Sequence, residues 1–323
     1  MKVGLLVGRE FSFPPAFIDR VNQLGKVHGI TAEMAVFEGT KMEGPSPYRV
    51  IVDRISHEIE YYRGALKNAV LHGTYVINNP FWWTADDKFF NYAVMAKLGL
   101  AIPKTVLLPQ KAYPPEIDLT AESLKNLRYP IDWEGLLDYV GRPAILKPYS
   151  GGGWKHVYKV NDVPELLQAY DRTAPYPMTL QEFISFDQYV RCFTFGKIDI
   201  TPVVYDVKER QYRVDHNYLA AETGARVVRD AQTINLALGY EMNTIEFAIK
   251  DGVPYAIDFL NPAPDFERDR ITEFYFNHVV EKMANLVVDR AVNGHPSQCW
   301  PRWEEMLGIG PASGFTGAPA GKP

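Results

Sequence analysis

Two apolar segments, residues 242–249 and 253–260, most constrain the fold, because each holds one carboxylate among hydrophobic neighbours. Glu246 lies in the first segment and Asp258 in the second, and the Asp-Gly pair between the segments is a turn sequence. This pattern predicts two strands joined as a β-hairpin. Since an unpaired buried carboxylate is costly, both acids should have cationic partners.

The register of this hairpin decides whether the two acids can act together. A loop of two residues would place Ile245 opposite Asp258 and send the acids to opposite faces of the sheet. A loop of three residues, beginning at Lys250, places Thr244 opposite Asp258 and makes the acids diagonal neighbours on one face, roughly 7–8 Å apart between backbones. We predict the three-residue loop.

On one face, the two acids form a candidate site for one or two hard cations, with carboxylate oxygens as ligands. Asn261 follows in the chain and adds a neutral oxygen ligand to the candidate set of Glu246, Asp258 and Asn261. The alternative is a purely structural pair of acids, each salt-bridged to Arg or Lys.

A glycine stretch between two predicted strands, within residues 143–160, is the strongest local indication of a binding site in the sequence. Lys147 ends the first strand, and Gly151, Gly152 and Gly153 follow it. Backbone N–H groups in such a stretch can close over phosphate oxygens, and the lysine can neutralise them. The pattern is neither a Walker loop nor a dinucleotide fingerprint. A flexible hairpin turn with a solvated lysine is the alternative interpretation.

A second lysine, Lys88, falls in the first turn of a predicted helix that Thr84 would cap. The helix dipole disfavours a cation at this end unless an anion is nearby, which suggests a phosphate partner. The alternative is a local pair between Lys88 and Asp86 or Asp87.

A hinge between two further predicted strands offers backbone donors and acceptors to a purine edge, and side chains beyond it that can bind ribose hydroxyls. Its residues are Gln181, Glu182, Phe183, Ile184, Asp187 and Gln188. An ordinary edge strand with exposed Gln181 and Glu182 explains the pattern equally well.

Strands and helices alternate over roughly the first 80 residues, which predicts a small doubly wound parallel α/β sheet. Residues 109–143 are rich in proline and mixed charge and are interpreted as a variable excursion. From residue 144 the pattern changes to strands and hairpins with fewer helices, which indicates an α+β unit. The tail is rich in Gly, Pro and Ala, so we expect it to be disordered.

Composition narrows the class of protein. The 323 residues include 34 Lys and Arg against 39 Asp and Glu, a net charge of −5, which argues against nucleic acid as a main partner. The two cysteines support neither a disulfide framework nor a zinc site, and Cys192 is expected to be a small buried residue. The amino terminus lacks the layout of a secretory signal, and no apolar run approaches the ~20 residues that span a bilayer. We therefore expect a cytoplasmic protein without membrane contact.

Taken in order, these motifs resemble the ATP-grasp superfamily over about residues 75–264, most closely glutathione synthetase, D-alanine:D-alanine ligase and the enzymes that add amino acids to a protein tail. With this resemblance we predict four regions. These are an α/β N-terminal domain (1–83), an ATP-grasp subdomain with the glycine-rich lid (84–178), a second subdomain with the metal site (179–305) and the tail (306–323).

The resemblance implies a role for each motif. Lys88 and Lys147 would contact ATP phosphates, and the glycines 151–153 would cover them. The backbone of residues 182–184 would hold adenine, Asp187 or Gln188 would hold ribose, and Glu246, Asp258 and Asn261 would hold Mg²⁺. Family members usually carry the acid and the asparagine two positions apart, whereas Asp258 and Asn261 are three apart. A bulge at residues 259–260 would restore the geometry, and otherwise Asn261 is not a ligand.

The resemblance further implies carboxylate activation, in which ATP converts a small carboxylic or amino acid into an acylphosphate that an amine then attacks. An arginine should steady the carboxylate, and Arg213, Arg226 and Arg229 are the candidates. Small-molecule carboxylate and amine substrates are the implied partners, and a homodimer is a candidate assembly. A kinase acting on a polyol hydroxyl and a non-catalytic ATP-binding protein are the competing interpretations.

Overall fold

The computed structural model describes residues 1–82, 87–113, 126–151, 155–294 and 306–308. The strands are β1 (Lys2–Leu6), β2 (Thr31–Met34), β3 (Val50–Asp53), β4 (Tyr75–Ile77), β5 (Thr105–Leu108), β6 (Ala144–Pro148), β7 (Tyr158–Val160), β8 (Met178–Glu182), β9 (Gln188–Phe195), β10 (Asp199–Asp206), β11 (Gln211–Arg213), β12 (Met242–Lys250) and β13 (Val253–Asp258). The helices are α1 (Phe13–Gly25), α2 (Glu60–Leu71), α3 (Lys88–Lys97), α4 (Trp133–Val140), α5 (Val163–Tyr170), α6 (Ala221–Leu238) and α7 (Arg268–Asn293).

The first sheet is parallel, with strand order β2-β1-β3-β4. The inner strands β1 and β3 are buried on both faces, so each face of the sheet is covered. Val3 and Val52 pack in one core with α1, whereas Ile51 and Val76 pack with α2 in another. The doubly wound parallel sheet predicted for the first 80 residues is confirmed.

The sequence from Ser56 to His72 predicts one long helix capped by Ser56, but α2 begins only at Glu60. The Ser56 hydroxyl and N–H both donate to the carboxylate of Asp53, at the end of β3. This local turn occupies the residues that would have formed the first helical turn, and α2 therefore begins at Glu60.

Two antiparallel sheets follow, with orders β5-β8-β6-β7 and β11-β10-β9-β12-β13. We call them the lid sheet and the acid sheet. Strand β8 pairs with β5 and β6, so the boundary predicted at 178/179 falls at the start of a lid-sheet strand. The four predicted regions otherwise remain predictions, and residues 309–323 of the tail lie outside the described residues.

Helix α7 closes the core of the N-terminal sheet, although it lies at the far end of the chain. Val279 and Met283 pack in one core with Phe17 of α1, and Arg20 pairs with Glu281 at 2.6 Å. The first sheet and the acid sheet consequently share one hydrophobic core.

The structure also tests the expectations for residues 109–143, for the cysteines and for membrane-spanning helices. Helix α4 lies within residues 109–143, where only a variable excursion was expected. Cys192 is fully buried, as predicted, and burial raises the pKa of its thiol, while Cys299 lies outside the described residues. No helix in the described part of the chain has the length and apolar character needed to cross a membrane.

Candidate functional site

The β12–β13 hairpin turns through two residues, not the three that we predicted. Lys250 pairs with Val253, and the loop residues Asp251 and Gly252 have φ angles of 51° and 73°. Positive φ at both positions is the geometry of the tight hairpin turn that an Asp-Gly pair favours.

A β-bulge nevertheless brings the two acids together. Phe247 pairs with Ala256, but the next pair is Glu246 with Asp258, so Ile257 is one extra residue in β13. The bulge reverses the alternation of β13 beyond Ala256. Glu246 and Asp258 therefore lie directly opposite each other on one face, by a register different from the predicted one.

Lys88 reaches this face from α3. Its Nζ lies 3.4 Å from Oδ2 of Asp258, and the residue is only 6% exposed. The helix begins at Lys88 with Asp87 as its N-cap, which accepts the N–H of Phe90 at 2.9 Å. Asp87 takes the capping role predicted for Thr84, which, like Asp86, lies outside the described residues.

Lys147 reaches the same place from β6 of the lid sheet. Its Nζ donates to the carbonyl of Ile257 at 3.2 Å and to the hydroxyl of Tyr92 at 3.0 Å. Burial lowers the pKa of the Lys147 ammonium, and the negative charges of Asp258 and Glu246 partly offset this effect. Two lysines from different elements thus meet at the end of β13.

These lysines lower the pKa of the Asp258 carboxyl. Burial by itself would raise the pKa of this carboxyl group, but Lys88 and Lys147 outweigh the effect and hold the pKa below its usual value. The Asp258 side chain is 41% exposed and so remains open to solvent and ligands.

Glu246 has a different environment. Arg191 on β9 pairs with it at 2.6 Å, and the Tyr189 hydroxyl donates to its other oxygen. Burial, together with the negative charge of Asp258, raises the pKa of the Glu246 carboxyl, although Arg191 and Tyr189 act in the opposite direction. Its side chain is 21% exposed.

Arg191 is an arginine beside the two acids that the sequence analysis did not name. It packs over the Tyr205 ring at 3.7 Å and donates to the Tyr212 hydroxyl at 3.0 Å. The sequence could have identified Arg191 from its position in an apolar strand, because the alternation of side chains along a strand puts it on the same face as Tyr189 and Phe193.

The three predicted arginines lie elsewhere. Arg213 is exposed and pairs with Asp206 at 2.5 Å. Arg226 and Arg229 lie on α6, which packs against Ile245 and Phe247, on the face of the acid sheet opposite Glu246. The structure does not bring these arginines to the acids.

Asn261 lies beyond the end of β13, with an exposed side chain. Its N–H donates to the side-chain oxygen of Asn243 at 3.0 Å, and Asn243 also donates to the Phe259 carbonyl at 2.9 Å. The register shift precedes Asp258, so it is not the bulge considered at residues 259–260.

The predicted hinge lies where β8 ends. Glu182 pairs with Ala144, and the backbone of Phe183 and Ile184 lies beyond this last pair. Lys159 of β7 lies 4.0 Å from the centre of the Phe183 ring. Peptide groups outside the ladder remain available to a flat polar ring edge.

Three other residues connect this hinge to its surroundings. Gln181 is buried and donates to the Thr105 hydroxyl at 2.9 Å, unlike the exposed residue of the alternative interpretation. Asp187 accepts the N–H of Asp251 at 3.2 Å, and Gln188 donates to the Tyr218 carbonyl. The hinge is therefore tied to the turn of the acid-bearing hairpin.

The glycine stretch is only partly described. Gly151 has a φ of +80°, a conformation that other residues rarely adopt, and its surroundings are open. Gly152 and Gly153 lie outside the described residues.

No family model matches this chain, and no curated protein matches it. Solved structures do match. D-Ala:D-Ser ligase VanG from Enterococcus faecalis aligns over 90% of this chain and 99% of that chain, with a TM-score of 0.63 and 12% identity. D-alanine–D-alanine ligase from Bacillus anthracis, complexed with ATP, aligns over 90% and 97%, with a TM-score of 0.57 and 13% identity. The ATP-grasp ligase PsnB, complexed with a minimal precursor, Mg and ADP, aligns over 90% and 98%, with a TM-score of 0.57 and 16% identity. At such identities the likeness shows a shared fold.

Proposed function

We propose, from the ATP-grasp fold of this chain, that it is an ATP-dependent carboxylate-amine ligase that forms an amide through an acylphosphate. One observation carries the proposal. Lys88 lies 3.4 Å from Asp258, and Lys147 binds the carbonyl of Ile257, so two cations from separate elements meet the two opposed acids. Such a cluster suits the phosphates and metal of a nucleotide.

In this proposal, ATP lies between the lid sheet and the acid sheet. Lys88 and Lys147 neutralise its phosphates, and the glycines from Gly151 onward cover them. The backbone beyond Glu182 holds adenine, with Phe183 and Ile184 lining the ring. Asp187 or Gln188 binds ribose.

The acids also suit a divalent metal ion. Glu246 and Asp258 offer hard carboxylate oxygens from directly opposed positions, and the charge of Asp258 contributes to raising the pKa of Glu246. A cation shared by both acids relieves this repulsion. The described residues hold no group of three or more His, Cys, Asp or Glu side chains that could bind a metal. We assign Mg²⁺ to the carboxylates of Glu246 and Asp258, where it would neutralise phosphate charge. Asn261 is not part of this set, because the register shift lies before Asp258 and not at residues 259–260.

The proposed reaction needs no protein nucleophile. The substrate carboxylate attacks the γ-phosphate to give the acylphosphate and ADP, and the amine then displaces phosphate to form the amide. The protein aligns the reacting oxygens and neutralises charge. Arg191 holds Glu246 in place from the neighbouring strand.

A phosphate-release assay tests the proposal. The full chain is supplied with Mg·ATP and pools of amino acids and small carboxylic acids, and phosphate and ADP are measured. Release that requires both an acid and an amine supports the ligase. Phosphoryl transfer to a polyol would instead identify a kinase, and ATP binding without turnover with any acceptor would identify a nucleotide-binding protein.

Lys147→Ala provides the site control for this assay. It removes a phosphate-neutralising ammonium and should weaken nucleotide binding about 100-fold. Lys282→Ala is the matched surface control, because Lys282 pairs with Asp199 on a different part of the acid sheet. Equal turnover in both variants would exclude the assigned nucleotide site.

A further inference from the structure

Tyr92 is a buried tyrosine at the centre of the lysine cluster, and none of the motifs above includes it. It is 2% exposed and lies one helical turn after Lys88 on α3. Residues four apart share one side of a helix, so Lys88 and Tyr92 both face the end of β13. The Tyr92 hydroxyl donates to the carbonyl of Ile257 at 2.8 Å.

The same hydroxyl accepts a hydrogen bond from Lys147. Lys147 Nζ lies 3.0 Å from the Tyr92 oxygen and 3.2 Å from the Ile257 carbonyl oxygen. The three groups form a closed triangle of three hydrogen bonds. Ile257 can supply its carbonyl because, as the extra residue of the bulge, it has no partner in the strand register.

The triangle restricts the direction of the ammonium group. A lysine ammonium has three N–H donors, and Tyr92 and Ile257 accept two of them, which leaves one for an anion. A lysine side chain otherwise has several rotatable bonds and loses considerable freedom when it is held in one position. The triangle therefore orders the ammonium group before any ligand arrives.

The triangle also connects three parts of the fold. Lys147 belongs to the lid sheet, Ile257 belongs to the acid sheet, and Tyr92 belongs to α3. The Tyr92 ring packs edge-on against Phe259, with a centroid distance of 5.2 Å, which fixes the hydroxyl against the acid sheet. The position of the Lys147 ammonium thus depends on a residue outside its own sheet.

We propose that Tyr92 is a positioning residue, which holds the Lys147 ammonium beside Asp258 so that one N–H is directed to a nucleotide phosphate. This inference rests on the proposed nucleotide site. It assigns to Tyr92 no direct contact with the reacting atoms. Its effect on the nucleotide must therefore pass through Lys147.

A double-mutant cycle tests this dependence. Mg·ATP affinity is measured by calorimetry for the wild type, Tyr92→Phe, Lys147→Met and the double variant. Tyr92→Phe keeps the ring and removes only the hydroxyl, and we expect it to weaken Mg·ATP binding about tenfold, the effect of losing one hydrogen bond to a charged group. In the Lys147→Met background the same change should have less than about a twofold effect, because the ammonium that it positions is gone.

Steady-state kinetics give a second readout. Once an acceptor is identified, Tyr92→Phe should raise the KM for ATP and leave the KM for the acceptor unchanged. A general loosening of the fold would change both values.

Tyr75→Phe is the matched control. The Tyr75 hydroxyl donates to Glu241 at 2.6 Å, at the junction of the N-terminal sheet and the acid sheet and away from the lysines. Tyr75→Phe removes a comparable hydrogen bond from a tyrosine hydroxyl, and it should lower the melting temperature without changing the affinity for Mg·ATP. Equal affinity losses in Tyr75→Phe and Tyr92→Phe would overturn the positioning role.

The outcomes separate the two proposals. If the wild type does not bind Mg·ATP, the nucleotide site is wrong and the role of Tyr92 falls with it. If the wild type binds Mg·ATP, Lys147→Met binds it weakly and Tyr92→Phe binds it as tightly as the wild type, only the positioning role is wrong. If Tyr92→Phe does not fold, the folding of the double variant Tyr92→Phe/Lys147→Met is tested instead. A folded double variant supports a coupling between the Tyr92 hydroxyl and the Lys147 ammonium, and an unfolded double variant overturns it.

Discussion

Glu246 and Asp258 lie directly opposite each other on neighbouring strands because β13 contains one extra residue, Ile257. In a regular ladder the two-residue turn would pair Glu246 with Ile257 and direct the two acids to opposite faces of the sheet. The bulge thus produces the paired carboxylates and also supplies the Ile257 carbonyl that receives Lys147. One backbone irregularity therefore shapes both the candidate metal site and the candidate phosphate site.

Asp258→Asn should remove Mg²⁺-dependent ATP turnover, by at least about 100-fold, because it withdraws one of two opposed carboxylates from the metal. The fold should be retained, since the Asp258 side chain is 41% exposed and asparagine keeps an oxygen that can accept a hydrogen bond from Lys88. Phosphate release across a Mg²⁺ titration measures the effect. Asp199→Asn, which changes an exposed acid paired with Lys282, should behave like the wild type. Unchanged turnover in Asp258→Asn would contradict the metal assignment.

Arg191→Met should destabilise the protein by about 3 kcal/mol, because it leaves the carboxylate of Glu246 without its cation on a largely buried face. Urea unfolding monitored by circular dichroism measures the change. Adding Glu246→Gln to this variant removes the unpaired charge and should recover part of the loss. If the single and double variants unfold at the same urea concentration, the unpaired charge of Glu246 is not the cause of the lost stability.

Glu267 should make the protein less stable in acid. Burial by itself would raise the pKa of its carboxyl, but hydrogen bonds from the Ser12 hydroxyl and from the N–H groups of Ser12, Phe13 and Phe11 outweigh it and lower the pKa. A carboxyl whose pKa is lower in the folded state stabilises the fold above its unfolded pKa of about 4.3, and this stabilisation is lost as the pH falls through the folded value.

Glu267→Gln should therefore cost about 1–2 kcal/mol at pH 7 and progressively less toward pH 3. Unfolding free energies measured across this pH range test the prediction. Glu33→Gln is the control, since Glu33 is exposed and pairs only with Lys2 at the surface. A Glu267→Gln penalty that stays constant with pH would exclude the charge of Glu267 as its origin.

Gly239→Ala should be far more disruptive than Gly73→Ala, although both glycines have positive φ, of 77° and 91°. A Cβ on Gly239 would lie 1.9 Å from the Trp82 ring, whereas a Cβ on Gly73 would meet nothing within 4 Å. The Gly73 variant should lose about 1 kcal/mol from backbone strain alone. Thermal unfolding of both variants provides the comparison, and equal losses would show that the packing of Trp82 on Gly239 is not important.

The amino-acid sequence by itself was sufficient to predict several features of this protein. Apolar strands alternating with helices predict the N-terminal parallel sheet, and an apolar strand around Cys192 predicts its burial. The Asp-Gly pair predicts the hairpin, and the two carboxylates within it mark the candidate site. These features depend on side-chain periodicity and turn chemistry, which operate over a few residues.

Tertiary contacts determined the remaining features of the candidate site. The bulge at Ile257 depends on how β12 and β13 pair, and Lys88 meets Asp258 across 170 positions of the chain. The choice of Arg191 over Arg226 follows from which face of the acid sheet α6 covers. Contacts between residues so far apart in the chain cannot be predicted from local sequence, because the burial of charges and the pairing of strands depend on the assembly of the whole sheet.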